Sequence, residues 1–476
     1  MMITPIAWKN VWRNRTRSLT VIAAVTVGVF AGVFAMAAIN SSIVQRIDAA
    51  VNEELSHIQV NNPGFRGSSD IASVIADPDK VVSVLKNTPG VTNITGRVIV
   101  RGIASTSAGS TGVEITGIDT EKEQQMFTLK ERLIPGTGSY FGADTRLNSA
   151  FIGEKLAKEL YIIRYILTEE SFAALEAGGV PQAVSEKLKP LENQRFTTEK
   201  KLSEAFSGLL SPKEVKLYGL KIKEAAWSYR EGSRVILTFL DANGTQTGAA
   251  FRITGIFRTN NDFFEATSVF VPRDELIRLA AMEEGQYHRI IARLEDDDLT
   301  DEATAAVKES LPGLEVMNWK QIQTDLAMIA DYINQIYGVF MVLILAALAF
   351  GIVNTMLMAV LERTRELGML AAIGMNRRRV FTMIMLESIF LSIVGGFAGM
   401  AVSAIVIAIT NHTGINLVKY AEGLEAFGYS AQLYPTIGAD FFIMLTVMIV
   451  ITGIISAIYP ARKALQLNPV EALRGE

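Results

Sequence analysis

The sequence predicts an α-helical membrane protein with four transmembrane helices and a large α+β extracytoplasmic domain inserted between helices 1 and 2. Four apolar segments are long enough to cross a hydrocarbon core of about 30 Å, which takes roughly 20 residues. Basic residues cluster at one set of segment ends, and the region between the first two segments has the mixed composition of a folded domain. Of the 476 residues, 49% are hydrophobic and 20% are charged, which fits lipid-embedded and water-exposed parts in one chain.

The composition excludes several classes of function. The chain has no cysteine, so it has no disulfide, thiolate metal site or cysteine nucleophile. Its formal net charge of −4 gives no overall basic field, and we expect no nucleic-acid partner. His57, His288 and His412 lack metal-ligand spacing, and no phosphate-binding loop or catalytic serine motif is present. We therefore expect a protein that is not an enzyme and that has no catalytic residue, metal or cofactor of its own.

The N-terminal segment, residues 1–17, has the pattern of a short amphipathic helix. Trp8 and Trp12 are four residues apart and so share one helical face, with Lys9 and Arg13 beside them. This arrangement is typical of a helix that lies among lipid headgroups with its tryptophans at the interface. A simple topology anchor and an active role are equally compatible with it.

Four segments meet the length test for a membrane span. The third contains one acidic residue, Glu387, at a depth where an isolated carboxylate is costly, so we expect it to reach the cytoplasmic interface or an arginine of the neighbouring loop. A signal peptide is the alternative for the first segment, since residues 35–37 resemble a cleavage site, but the apolar run exceeds the usual 7–15 residues. The predicted spans are residues 18–39, 332–361, 380–410 and 441–461.

Basic residues near the segment ends give the orientation. Lys9, Arg13, Arg15 and Arg17 precede the first span, Arg363, Arg365, Arg377, Arg378 and Arg379 lie between the second and third, and Arg462, Lys463 and Arg474 follow the fourth. The loop between the last two spans, residues 411–440, carries only Lys419. All three clusters therefore belong in the cytoplasm, together with both termini and the C-terminal tail, residues 462–476.

The region 40–331 has the pattern of an α+β domain outside the cytoplasm. Arg234 to Leu240, a turn at residues 241–244, and Ala249 to Phe257 predict a hairpin, and a strand–helix–strand unit follows from His288. Residues 160–229 predict a helical insertion, either a solvated decoration or an arm that binds a partner. Residues 40–55 and 318–335 should continue the first and second spans outward as two unbroken stalk helices.

The loop between the second and third spans, residues 362–379, has the pattern of an ordered helix, whereas orientation in the membrane requires only basic residues there. A helix is predicted from Glu362 to Ile373, with Gly374 as its C-terminal cap. Glu362 and Glu366 fall on one face of it, beside Arg363. A short charged helix tied to two spans can serve as a handle for another protein.

Two glycine pairs predict close helix packing. Gly28 and Gly32 in the first span, and Gly395 and Gly399 in the third, have the GxxxG spacing that lets two helix backbones approach. Close packing is favoured over any ligand role.

Several segments together resemble the permeases of the FtsX-like family, the type VII ABC transporters. These segments are AWKNVWRNRTRSL near the N-terminus, VNTM before the predicted handle, LERTRELGMLAAIGMNRRRV, LESIFLSIVGGFAG in the third span, and YPARKALQLNPVEALRGE at the end. The order of one helix, a large outer domain and three helices also matches. HIQVNNPGF, residues 57–65, is most similar to the lipoprotein-releasing branch of the family.

The resemblance implies roles for individual residues. The handle corresponds to the coupling helix that contacts a separate ATPase subunit, through Arg363, Arg365, Glu366, Leu367, Gly368 and Gly374. The C-terminal family signature falls on Pro460, Arg462, Pro469, Glu471 and Arg474. Asn468 departs from the aspartate common in the family, and the insertion at 160–229 is the largest departure.

The resemblance also implies a function, namely extraction of lipoproteins from the bacterial inner membrane and their delivery to a periplasmic carrier. Two permeases, identical or paralogous, would pair with an ATPase dimer that binds ATP and Mg²⁺. The candidate substrate cleft is lined by Phe30, Phe34, Phe340 and Leu343, or these residues merely face lipid. Two alternatives are efflux of amphipathic drugs or peptides, as in macrolide exporters, and transmembrane signalling to a cell-wall hydrolase.

Overall fold

The computed structural model describes residues 3–141, 148–230, 232–373 and 375–466. The chain divides into two compact units, which we call the helical unit and the α+β unit. The helical unit comprises Met1–Arg46, Asp325–Glu422 and Tyr429–Glu476, and the α+β unit comprises Ile47–Thr324 and Gly423–Gly428.

The helices, in chain order, are α1 (Ile3–Arg13), α2 (Arg15–Ala49), α3 (Phe65–Ser68), α4 (Pro78–Asn87), α5 (Thr120–Met126), α6 (Glu154–Glu159), α7 (Glu169–Ala177), α8 (Gln182–Leu188), α9 (Glu199–Ser207), α10 (Pro212–Ala226), α11 (Asp262–Thr267), α12 (Arg273–Leu279), α13 (Thr300–Ser310), α14 (Trp319–Ile322), α15 (Thr324–Glu362), α16 (Thr364–Ala372), α17 (Arg377–Thr413), α18 (Ala421–Ala426) and α19 (Ala439–Leu465).

The strands are β1 (Ile58–Asn61), β2 (Val91–Ser105), β3 (Ser110–Ile118), β4 (Ser149–Gly153), β5 (Ile163–Ile166), β6 (Arg195–Phe196), β7 (Trp227–Tyr229), β8 (Arg234–Leu240), β9 (Gln246–Phe257), β10 (Ser268–Pro272), β11 (Arg289–Leu294), β12 (Glu315–Asn318), β13 (Ile415–Asn416) and β14 (Gln432–Leu433).

Four helices in the described part of the chain are long and apolar enough to cross a membrane, judged by length and composition. These stretches are Arg15–Leu55, Gln335–Glu362, Arg377–Thr413 and Ala439–Leu465, and each overlaps one of the four predicted spans. Each helix continues past its apolar stretch, because the charged residues at its ends do not terminate a helix. The predicted fold class, four membrane helices with an α+β domain between the first and second, is confirmed.

Both predicted glycine pairs lie at close helix contacts inside the helical unit. A methyl group built on Gly395 or Gly399 would lie 2.7 and 2.8 Å from the Cβ atoms of Val25 and Val29, so α17 and α2 touch there without room for a side chain. Thr26 Oγ1 also donates a hydrogen bond to the Gly395 carbonyl oxygen (3.1 Å). Small residues thus let the two backbones approach, as the spacing predicts.

The α+β unit is built on a nine-stranded sheet in the order β12-β1-β11-β2-β3-β10-β4-β9-β8. Its last strand also pairs with β2, which bends the sheet back on itself. The predicted hairpin is β8 and β9, and the Asp241 carboxylate accepts two backbone N–H bonds (2.9 Å each) inside its turn. The predicted strand–helix–strand unit is β11, α13 and β12. Both predictions are confirmed.

The stalk prediction is only partly correct. The helix before the second span is interrupted at Gln323, whose backbone has φ −108° and ψ 71° between α14 and α15. Its side chain instead donates to a carboxylate oxygen of Glu54 (3.2 Å). After α2, residues Ala50–Leu55 form a π-helical turn. Neither break contains a glycine or proline, so the sequence pattern does not predict it.

The insertion at residues 160–229 contains α7 to α10, as predicted, and also a three-stranded sheet in the order β6-β5-β7. These strands are two to four residues long, too short for a periodic pattern to reveal. Thr168 caps α7 and Ser211 caps α10 in a capping box with Glu214. The insertion has its own apolar core, in which Phe206 is 1% exposed.

Candidate coupling site

The site is built around α16, which starts one residue after α15 ends. The Arg363 N–H donates to the Ala359 carbonyl oxygen (3.3 Å), and the Leu367 N–H donates to the Arg363 carbonyl oxygen (3.0 Å), so helical bonding runs through the junction. The predicted helix in this loop is confirmed. Gly374, the predicted cap, lies outside the described residues. The short connection and these hydrogen bonds join α16 closely to the end of α15.

A buried carboxylate joins α16 to the third span. Glu387 on α17 is 6% exposed, and its Oε1 accepts a hydrogen bond from Asn10 Nδ2 on α1 (2.7 Å). Arg363 Nη1 lies 3.2 Å from both carboxylate oxygens. The expectation that Glu387 reaches an arginine of the loop is confirmed. The Glu387 side chain thus contacts both the N-terminal helix and the residue between α15 and α16.

A second ion-pair group links the same elements. Arg363 Nε donates to Glu366 Oε2 (3.1 Å), and Arg13 on α1 pairs with the other oxygen of Glu366. The hydrogen bond from Arg13, together with that from Arg363, holds the pKa of Glu366 below its ordinary value. Arg17 on α2 pairs with Glu362. Ion pairs and hydrogen bonds therefore connect α1, α2, α15, α16 and α17 at one end of the helical unit.

The N-terminal helix packs on α17 and is part of this network. Ala7 and Val11 are buried, and the Trp8 ring lies edge-on to Phe390 with 5.4 Å between ring centroids. Trp8 and Trp12 remain partly exposed at 43% and 37%. Sequence reasoning missed Asn10, because a single asparagine in an amphipathic segment gives no signal that its partner lies 377 positions away.

The two faces of α16 differ in exposure. Leu367 and Gly368 are buried against the helical unit. Arg365, Met369 and Ile373 are spaced four residues apart and are exposed, the last two at 54% and 77%. Residues at this spacing share one side of a helix. The site thus presents a cation and two large apolar side chains to its surroundings.

The other predicted residues are only partly placed by the structure. Pro460 is buried inside α19 and Arg462 is exposed near its end, while Pro469, Glu471 and Arg474 lie outside the described residues.

Two of the residues proposed for a substrate cleft contact each other. The rings of Phe30 and Phe34 stack with centroids 5.8 Å apart. Phe340 and Leu343 are exposed on α15, at 49% and 60%. The structure does show an apolar groove of about 550 Å³ between α15 and α19, which the sequence analysis did not predict. It is lined by Val342, Ala346, Phe350, Met448, Ile451 and Ile455, among others.

Comparison with known proteins identifies part of the chain. Residues 338–469 match the family described as FtsX-like permease C-terminal. An uncharacterized ABC transporter permease of Methanocaldococcus jannaschii is 26% identical over 234 residues, which are 48% of this chain and 55% of that protein. The pyoverdine export ATP-binding/permease protein PvdT of Pseudomonas syringae pv. tomato is 31% identical over 240 residues, 48% of this chain and 33% of that protein.

The chain therefore spans only a third to about half of the length of such relatives. The crystal structure of the periplasmic region of MacB from Actinobacillus actinomycetemcomitans aligns with 60% of this chain and 98% of that one, at 13% identity and a TM-score of 0.28. A likeness this weak supports no argument.

The fold and the site define a class of membrane protein. It has four apolar helices, an α+β unit between the first two, and a charged helix between the second and third. Residues 338–469 match the FtsX-like permease C-terminal family, and the named relatives are ABC transporter permeases. The resemblance to the FtsX-like family is confirmed. The closer likeness to the lipoprotein-releasing branch depends on residues 57–65 and stays a prediction.

Proposed function

We propose that this chain is the permease subunit of an ATP-driven transporter and that α16 is the helix through which a separate ABC-type ATPase moves it. The observation that carries the proposal is the ion-pair network centred on Arg363, Glu366 and Glu387. It ties α16 to α1 through Glu366, ties the adjacent Arg363 to α17, and leaves the opposite face of α16 exposed. A motor that binds the exposed face would move the membrane helices as one body.

The exposed face has the composition of a docking surface. Arg365 can pair with a carboxylate, and Met369 and Ile373 can fill an apolar pocket of the partner. In this proposal the ATPase subunit supplies the nucleotide site and binds ATP and Mg²⁺. Two ATPase subunits would serve two permeases, identical or paralogous.

The motion would reach the α+β unit through two helices. The chain enters the α+β unit from the helical unit along α2 and returns to the helical unit along α15. The membrane would be the bacterial inner membrane, with both termini in the cytoplasm and the α+β unit in the periplasm. Basic residues flanking the spans support this orientation.

Two substrates are compatible with this machine. Residues 57–65 favour lipoproteins, which would be extracted from the membrane and passed to a periplasmic carrier. The names of the relatives, which include pyoverdine and macrolide export proteins, favour efflux of smaller amphipathic molecules. Release of lipoproteins from reconstituted vesicles, and resistance of cells to amphipathic drugs, separate the two.

The coupling proposal is tested by charge reversal on α16. The full-length chain in nanodiscs is mixed with its cognate ATPase, and complex formation is followed by size-exclusion chromatography. Arg365→Glu and Ile373→Asp should each weaken the complex by at least tenfold, since buried anchors at interfaces carry 1.4 kcal/mol or more. The matched control Lys9→Glu reverses an exposed charge on α1 and should change binding by less than twofold. Unchanged binding of both α16 variants would refute the proposal.

A further inference from the structure

A cleft of about 540 Å³ in the α+β unit has no part in the coupling site. It lies where β2, β3, β10 and β11 meet α11, and its lining includes Arg97, Arg101 and Arg289. Three guanidinium groups in one cleft repel one another unless carboxylates or other anions neutralise them.

Arg97 and Arg289 lie directly opposite each other in the antiparallel pairing of β2 and β11. Like charges in that position repel and destabilise a sheet. Arg97 is neutralised by Glu123, to which it donates two hydrogen bonds, from Nε (2.8 Å) and Nη2 (2.9 Å). The Phe127 ring lies 4.4 Å from its guanidinium carbon. Arg97 is therefore fully paired.

Arg289 has no such partner. Its Nε donates to the amide oxygen of Asn61 (3.0 Å), and no carboxylate lies within ion-pair distance of it among the residues that the structure describes. Burial lowers the pKa of Arg289 to about 10. The charge of Glu114 acts in the opposite direction, and the charges of Arg97 and Arg66 lower the pKa further. The terminal nitrogens of this guanidinium are left with donors to spare, since arginine has five N–H groups.

Two carboxylates line the cleft, those of Glu54 and Glu114. Glu114 lies opposite Arg101 in the pairing of β2 and β3, where opposite charges attract. Glu54 accepts hydrogen bonds from Asn261 Nδ2 (2.9 Å) and Gln323 Nε2 (3.2 Å). Among the described residues, no carboxylate makes an ion pair with Arg289, so its guanidinium can still bind an anion.

The same cleft has an apolar rim. Phe263 on α11 lines the cleft, and its side chain is 76% exposed. Phe264 and Phe270 also line the cleft, with ring centroids 6.1 Å apart. An exposed aromatic ring beside an unpaired guanidinium suits a ligand with an anionic head and an apolar body.

We propose that this cleft binds a small amphipathic anion, a carboxylate or phosphate attached to an aromatic or acyl group. The anion accepts two hydrogen bonds from Arg289, whose planar fork matches both groups, and the apolar part packs on Phe263. The site does not involve α16, so it stands or falls separately from the proposed coupling to an ATPase.

The test uses the full-length chain in nanodiscs of zwitterionic phosphatidylcholine, with 4-fluorophenyl phosphate as the soluble probe. Binding is followed by broadening of the ¹⁹F NMR line of the probe. Arg289→Gln should weaken binding at least tenfold, the loss expected for hydrogen bonds to a charged group. Phe263→Ala should weaken it several-fold. Arg278→Gln, which removes an exposed arginine outside the cleft, should leave it unchanged.

Three results would overturn the proposal. They are no binding by the unmodified chain, equal binding of the neutral probe 4-fluorobenzyl alcohol, or an equal loss in Arg278→Gln. If Arg289→Gln does not fold, the proposal is tested by Phe263→Ala, which replaces an exposed side chain, and by the neutral probe. Unchanged binding in Phe263→Ala, or equal binding of the neutral probe, would then refute it. Adding phosphatidylglycerol to the nanodiscs identifies the source of the anion, because displacement of the probe points to a lipid headgroup and retention points to a free solute.

Discussion

Replacing Arg363 alone should destabilise the helical unit more than replacing Arg363 and Glu387 together. The side chains of Glu387 and Arg363 are 8% and 20% exposed. Removing one partner of a buried pair leaves an uncompensated charge, at a cost of about 3–5 kcal/mol. We expect the lower end, about 3 kcal/mol, for Arg363→Gln, because Asn10 still donates to the carboxylate.

The double variant Arg363→Gln/Glu387→Gln has no buried charge left to compensate. It loses hydrogen bonds between partners that are both replaced by neutral amides, and we expect a cost of about 1 kcal/mol. The coupling energy between the two positions is therefore about 2 kcal/mol, well above the few tenths expected for independent sites.

The assay is the free energy of unfolding of the full-length chain in mixed detergent micelles, measured for the wild type, both single variants and the double variant. Arg378→Gln removes an exposed arginine from the start of α17 and should change the free energy by less than about 0.5 kcal/mol. A double variant that is as unstable as Arg363→Gln would refute the reasoning, because the carboxylate would then not depend on this arginine.

Three further predictions concern other parts of the chain. Burial raises the pKa of Glu265 to about 7 from an ordinary value of 4.5, so between these pH values the native state holds a proton that the unfolded state releases. The free energy of unfolding should therefore fall by about 3 kcal/mol as the pH rises from 4.5 to 7. Glu265→Gln should abolish that fall in a pH series of unfolding curves, and an unaltered slope would contradict the prediction. Gly399→Ala should destabilise the helical unit by about 1–3 kcal/mol in a thermal unfolding assay, because the new methyl group would lie 2.8 Å from Val29 Cβ. Gly351→Ala, whose methyl group would meet nothing within 4 Å, should be neutral in the same assay. Phe206→Ala should cost about 3–5 kcal/mol in the insertion core and expose residues 160–229 to limited proteolysis, while Leu217→Ala, at a position that is 66% exposed, should leave the digestion pattern unchanged.

The membrane helices could be predicted from the sequence because the features that define them lie close together along the chain. An uncharged run of about 20 residues and the glycine spacing each depend on neighbours along one helix. The helix in the loop after Glu362 was predicted for the same reason. Glu387 was anticipated to need an arginine, since a lone carboxylate in a span is costly, but Asn10 was not, because nothing in the N-terminal segment indicates which helix it packs against.

The α+β unit was predicted less completely because its contacts are distant in sequence. The β8–β9 hairpin was found from its turn, whereas the pairing of β2 with β11 joins residues almost 200 positions apart. The pairing of Arg97 opposite Arg289 in the cleft follows only from that register. The two breaks near Gln323 and Ala50 depend on tertiary contacts and carry no sequence signal.

The central claim is that the exposed face of α16 contacts an ATPase subunit. The chain has no cysteine, so Ile373→Cys can carry a single benzophenone-maleimide crosslinker without interference. Irradiation of the permease with its cognate ATPase should give a covalent product from Ile373→Cys and none from Val447→Cys, which replaces an exposed residue of α19. No product at position 373, or an equal product at position 447, would contradict the claim.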